Sequence, residues 1–223
     1  MGYDENAIRD AIAAGHERLL KLLDGADDAA MRASTELPGW TRGHVATHVE
    51  HNGAACARQA VYAGRGELID FYDGGRPAAQ PRIEAASGRP AAEIKAAMAD
   101  SIAAVEQAFA QVEDWEAPVT YRDGVLRDVL EARWREVEIH TVDLGLGYTP
   151  SAWTSEFCLH ALGFLSARVA GELTVVTPDG TWVFGSGSPF RVTGELGDVV
   201  AWIAGRTPEN TLSGELPELG QWP

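Results

Sequence analysis

Glu136 and His140 stand four residues apart in Arg133-Trp-Arg-Glu136-Val-Glu-Ile-His140, inside an amphipathic run of strong helix formers. Residues at i and i+4 share one face of a helix, so a carboxylate oxygen and an imidazole nitrogen are aimed at the same point. Alone, such a pair is commonly no more than an i,i+4 hydrogen bond. A third donor would make it a metal centre, and the dense supply of histidine lies upstream, in Gly43-His44-Val-Ala-Thr-His48-Val-Glu-His51-Asn52. On a helix, Val45, Val49, Asn52 and Cys56 mark the less polar face, His48 falls within it, and His44 and His51 lie to its side. Glu138 is rotated by about 200° from Glu136 and faces elsewhere. Two histidines and one glutamate from facing helices leave a fourth position open, which for a borderline ion such as zinc is the mark of a catalytic rather than a structural site. The same donors can hold iron, manganese or nickel. No Walker sequence, HExxH or GxSxG elbow competes with this arrangement, and Gly185-Ser-Gly-Ser188 reads as a loop between strands.

Four helices have to position these donors. Ile8, Ile12, Leu19, Leu20, Leu22 and Leu23 form the stripe of the first, which ends at Asp24-Gly25. Thr41 supplies an N-cap for the second, running to about Tyr62. Residues 64–90 are rich in Gly, Pro, Arg and Asp and form a long excursion with room for a short helical piece; loops of that length are often functional. Pro90 opens a third helix, at a position where a missing amide is harmless, with Ile94, Met98, Ile102, Val105 and Phe109 on one face. Asp123 is the expected cap of a fourth, over residues 125–146, stopped by Gly145 and Gly147 before Pro150. Helices of these lengths make a four-helix bundle. Beyond Pro150 the pattern changes: a helix over 155–170, strands over 173–177 and 181–184 around Pro178-Asp179-Gly180, a third strand over 190–193, and a helix over 197–203. The expected class is α+β, with a helical bundle over 1–150 and a small α+β domain over 151–223.

The composition narrows the partners. Eighteen Lys and Arg against 33 Asp and Glu give a formal charge of -15. Such a surface repels phosphate backbones and anionic lipid, so nucleic acid and membranes are poor partners. An anionic small molecule would need a local cation to draw it in. Neither a leader nor a run near 20 apolar residues is visible, which suggests a cytoplasmic protein. Cys56 and Cys158 lie far apart in apolar, helix-like contexts and read as reduced packing residues.

Two motifs carry a family resemblance. Leu37-Pro-Gly-Trp-Thr-Arg-Gly-His-Val-x-x-His48, followed by Arg135-Glu136-Val-x-x-His140-x-x-Asp143-Leu, resembles the mycothiol-dependent maleylpyruvate isomerases, within the wider DinB-like metal-binding bundles. Val192-x-Gly194 and Ala201-Trp-Ile-x-Gly205-Arg206 are similar to the small second domain of that family. The resemblance implies zinc held by His48, Glu136 and His140, a substrate-binding arginine at Arg206, and mycothiol as a low-molecular-weight thiol cosubstrate. It implies cis-trans isomerisation of maleylpyruvate to fumarylpyruvate by thiolate addition, bond rotation and elimination. A related thiol S-transferase, or a non-catalytic metal-binding module, would carry the same donors. His44 and His51 stand as capping groups or proton carriers, and Asp143 and Asn52 as groups that orient a ligand or simply meet solvent. Trp40 and Trp134 read as helix-end packing, and the chain as a monomer or homodimer.

Overall fold

A computed structural model describes residues 3–223. The chain divides into two compact units at Leu146/Gly147. The first is built on four long helices, α1 (Glu5–Asp24), α3 (Arg42–Ala63), α5 (Ala91–Ala110) and α6 (Leu126–Asp143), joined by the short α2 (Asp28–Arg32) and by α4 (Arg76–Ala86). The bundle closes because α3 packs on both α5 and α6 while α1 packs on the other side of the same pair. Leu19, Leu23, Val45, Val49, Ile94, Met98, Ile102 and Leu144 fill one end of its interior. Each sits at the three- or four-residue spacing that keeps an apolar stripe on one side of a helix.

The entry of α3 is held tightly, which matters because this helix carries the histidine cluster. Thr41 Oγ1 accepts from the His44 amide, and the Thr41 amide donates back to His44 Nδ1 at 3.2 Å, so a histidine takes the place usually filled by glutamate or glutamine in a capping box. Arg42 next to it donates to the carbonyls of Leu144 and Gly145, at 2.6 and 3.2 Å, and ties the start of α3 to the end of α6. Cations at a helix C-terminus satisfy its orphan carbonyls. Further along α3, a Cβ on Gly53 would stand 2.4 Å from Ser101 Oγ of α5 and 3.1 Å from Arg133 Nη2 of α6. Only glycine lets the three helices approach this closely.

The fourth long helix starts differently from the expectation. Asp123 is not its cap: Arg122 and Asp123 both adopt positive φ, 57° and 52°, in a short 3-10 piece, Tyr121–Asp123. Val125 is the N-cap residue, and the carboxylate of Asp128, three residues on, accepts from its amide at 2.9 Å. The helix also ends at Asp143 rather than at Leu146. Pro90 is the N-cap of α5, one residue outside the helix.

The second unit holds α7 (Ser155–Leu165), a four-stranded sheet and α8 (Leu196–Ile203). Strands β1 (Glu172–Thr177) and β2 (Gly180–Gly185) form an antiparallel hairpin. Strand β3 (Pro189–Thr193) lies parallel to β1 on its other side, and the short β4 (Ser213–Gly214), absent from the sequence reading, pairs with β3 to give the order β2-β1-β3-β4. The class is α+β. Helix 155–170 is shorter than its apolar pattern suggests, because its last turn tightens into the 3-10 segment Ser166–Arg168. Among the described residues no helix is long and apolar enough to cross a membrane. Cys56 and Cys158 are both buried, and neither is in a disulfide.

Candidate metal centre

His48, Glu136 and His140 come together on facing sides of α3 and α6. One donor atom from each lies within 4.8 Å of the others. Glu136 Oε2 is 2.9 Å from His48 Nε2 and 3.3 Å from His140 Nε2. Metal–ligand bonds near 2.0–2.2 Å at tetrahedral angles place donors about 3.4 Å apart, so these separations suit one first-row dication. All three side chains are partly exposed, at 18, 27 and 15 % respectively, which leaves one side of the cluster open to an incoming ligand.

The electrostatics suit a cation as well. Burial alone would raise the Glu136 carboxyl, yet the two imidazoles hold it well below the usual carboxylate range. Burial likewise works against a charged His140, but hydrogen bonds to Asp143 and Glu136 carry it up to about 9. Two carboxylates therefore stabilise positive charge at one imidazole, and a metal would compete with that proton for the same position.

Both histidine donors are held in place by a neighbour. His140 Nδ1–H donates to Asp143 Oδ2 at 2.7 Å, which turns Nε2 toward Glu136 and fixes the tautomer that a metal ligand needs. Asp143 is buried, so of its two possible roles the structure shows the orienting one. Removing such a partner typically costs 10–100-fold in metal affinity. Asp143→Asn is expected to weaken metal binding by about that factor while leaving the bundle folded, as measured by chelator competition alongside circular dichroism; unchanged affinity would take Asp143 out of the centre. His48 is set by Trp40, whose ring meets it edge-on at 5.5 Å and stacks on His44 at 6.2 Å. Trp40 thus packs the helix start, as its position suggested, and the surface it packs against includes a candidate ligand.

His44 is a capping residue. Its Nδ1 accepts from Thr41 and its Nε2 faces Glu84 and Ser87 at 3.2 and 3.1 Å. Glu138 points away from the cluster as its rotation demands, but not to solvent: it is buried and accepts from Arg18 Nη2 of α1 at 2.5 Å. Asn52 is buried under the cluster, where its Oδ1 accepts from Arg133 at 3.0 Å. Tyr72, which the sequence reading passed over, reaches Asn52 from the 64–90 excursion with its hydroxyl, and burial raises its pKa. The signal was available in Phe71-Tyr72, an aromatic pair in an otherwise polar, glycine-rich stretch. Arg206 belongs to the second unit. It follows Gly205, which has φ 76°, donates from Nη1 to the Ala204 carbonyl at 2.6 Å, and lies 5.5 Å from the Trp222 ring, as Arg168 also does.

Comparison with known proteins adds a second line to the geometry. No curated protein matches the chain. Two solved structures match over 99 % of this chain and 98 % of theirs: a crystal structure of mycothiol-dependent maleylpyruvate isomerase, with TM-score 0.87 and 24 % identity, and one of its histidine-to-alanine mutant, with TM-score 0.86 and 23 % identity. At that identity the likeness establishes the fold. The family model described as the mycothiol maleylpyruvate isomerase N-terminal domain matches residues 12–145, the stretch that contains all three candidate ligands and most of the chain. The chain therefore belongs to the mycothiol maleylpyruvate isomerase N-terminal domain family.

Proposed function

We propose that this chain is a metal- and thiol-dependent cis-trans isomerase that converts maleylpyruvate to fumarylpyruvate in the cytoplasm, with mycothiol as the thiol. The observation that carries the reading is the convergence of His48, Glu136 and His140 on one open-sided point, inside the region that the family model matches. These three residues would hold zinc, in a metal-binding domain over 1–150, and Arg206 in the domain over 151–223 would clamp a substrate carboxylate in bidentate fashion. When bound, a divalent ion supplies a Lewis acid that keeps a thiol deprotonated at neutral pH.

The protein's own residues account for the rest. Both cysteines are buried, and burial raises the Cys56 thiol to about 12, so neither serves as the nucleophile and the sulfur has to come from a cosubstrate. The thiolate forms a carbon–sulfur bond at the conjugated double bond, and the displaced electron pair moves onto the keto oxygen as an enolate. The former double bond is now single and rotates. Return of the electron pair restores the double bond in the trans form and expels the thiolate, so no proton or electron is gained or lost. Asp143 keeps His140 aimed at the centre, and Trp40 holds His48, throughout this cycle.

Incubation of the protein with maleylpyruvate and mycothiol, followed by chromatography, tests the reading. Fumarylpyruvate is expected when both thiol and metal are present, and its formation should stop on treatment with a chelator. A stable thioether in place of the trans acid would instead make the chain a thiol transferase. No consumption of either compound by metal-loaded protein would leave a metal-binding module.

A further inference from the structure

Past His48, α3 opens onto a second feature. His51, Ala55 and Arg58 line one side of a cavity of about 260 Å³, and Tyr72, Asp73 and Arg82 from the excursion and α4 line the other. The cavity begins where the candidate centre ends: His51 is three residues on from His48, and the Tyr72 hydroxyl is bonded to Asn52 beneath the cluster.

Its chemistry runs against the overall charge of the chain. In a chain with a formal charge of -15, two guanidinium groups line one small hollow. Arg82 is paired with the exposed Asp73 at 3.1 Å. The Arg58 guanidinium has no hydrogen bond or ion pair among the described residues, although the residue is half-buried on α3. Asp73 lines the hollow with its carboxylate engaged by Arg82, which leaves Arg58 as the uncompensated cation, and His51, Tyr72 and alanine side chains supply the remaining walls. An unpaired forked donor beside an apolar wall suits a planar carboxylate on a short carbon stem. Ligand pockets usually enclose about 300–1,000 Å³, so a space this small suits an acid of a few carbons better than a whole glycosidic thiol.

We propose that this cavity seats a carboxylate of a small unsaturated acid, with Arg58 as its forked donor and Arg82 as a second cation. Only the identity of the acid rests on the isomerase reading; the anion site stands on the cavity and on Arg58.

Calorimetric titration of the metal-loaded full chain with maleate tests it. Maleate should bind, and Arg58→Gln should weaken binding about tenfold or more, as expected for loss of a hydrogen-bonded charge. Arg58→Lys should recover part of that loss, since it restores charge without the fork. Arg65→Gln, which removes an equal charge two turns further along the chain, should leave affinity unchanged. In turnover, Arg58→Gln should raise KM for maleylpyruvate and spare kcat. Failure of the native chain to bind maleate, equal affinity in Arg58→Gln, or an equal loss in Arg65→Gln would each overturn the anion site. Maleate binding that depends on Arg58, without isomerisation, would keep the anion site and remove the reading of the reaction. Isomerisation with KM unchanged in Arg58→Gln would do the reverse.

Discussion

Glu136→Gln is expected to strip the centre of its metal and to abolish thiol-dependent isomerisation. Glu136 is the one anionic donor of the three, and its Oε2 sits between the two imidazoles at 2.9 and 3.3 Å. Glutamine keeps the shape and removes the charge, leaving a dication with two neutral ligands. Changing a partner that merely orients a ligand costs 10–100-fold in affinity, so losing the charged ligand itself should cost on the order of a hundredfold or more. Metal content after dialysis against a chelator of known affinity gives the first readout, and the rate of maleylpyruvate isomerisation gives the second. Glu138→Gln is the matched control. It sits two residues away on the same helix, bonded to Arg18 and facing away from the cluster, so that variant should keep its metal. Retention of metal by Glu136→Gln, or its loss from Glu138→Gln, would show the donor set to be wrong.

That contrast between neighbours shows how far the sequence could be read. The rotation of 100° per residue on a helix separates Glu136 from Glu138 and puts Glu136 and His140 on one face, and periodicity alone carries that much. It also carries the four long helices, because each buries a stripe at regular spacing. What it does not carry is the path of the chain between them. Tyr72 reaches Asn52 because the excursion folds back over α3, a tertiary fact with no local pattern to announce it. The cap of α6 was misplaced for a related reason. Asp123 has the right residue type, but Arg122 and Asp123 turn into the left-handed region, and Asp128 reaches back from inside the helix to do the capping. His44 and Asp143 show the middle case: their positions were legible, but only their partners decide that one caps a helix while the other orients a ligand.

Arg133 is the residue whose role periodicity concealed most fully. It lies in the inward stripe of α6 and is fully buried. Its Nε donates to His16 Nε2 at 3.2 Å, and its Nη1 donates to the Val49 carbonyl at 2.8 Å and to Asn52 Oδ1 at 3.0 Å. Through these bonds one side chain joins α1, α3 and α6 beneath the candidate centre. His16 completes the chain of contacts by donating from Nδ1 to Glu106 of α5 at 2.8 Å. Arg133→Ala removes the donor that three buried acceptors share and leaves a void among four helices. Breaking a buried charged network in this way costs about 3–5 kcal/mol. That is a large part of the stability of a domain, typically about 5–15 kcal/mol, and for a chain of this size corresponds to a drop in Tm of roughly 10 °C. Acid should narrow the difference. Burial, followed by the nearby guanidinium of Arg133, pushes His16 down to about 2, against 6.5 for a free imidazole. Between those values the unfolded chain binds a proton that the folded chain refuses, so the native protein loses stability as pH falls below about 6.5. Without Arg133 the refusal weakens, and the variant loses less on acidification than the native protein does. Thermal melts of both proteins from pH 8 to pH 4 should therefore show the widest gap at the alkaline end and a smaller one toward acid. Equal Tm values would show that the buried arginine does not brace the bundle, and a gap that does not change with pH would show that it does not influence the charge state of His16.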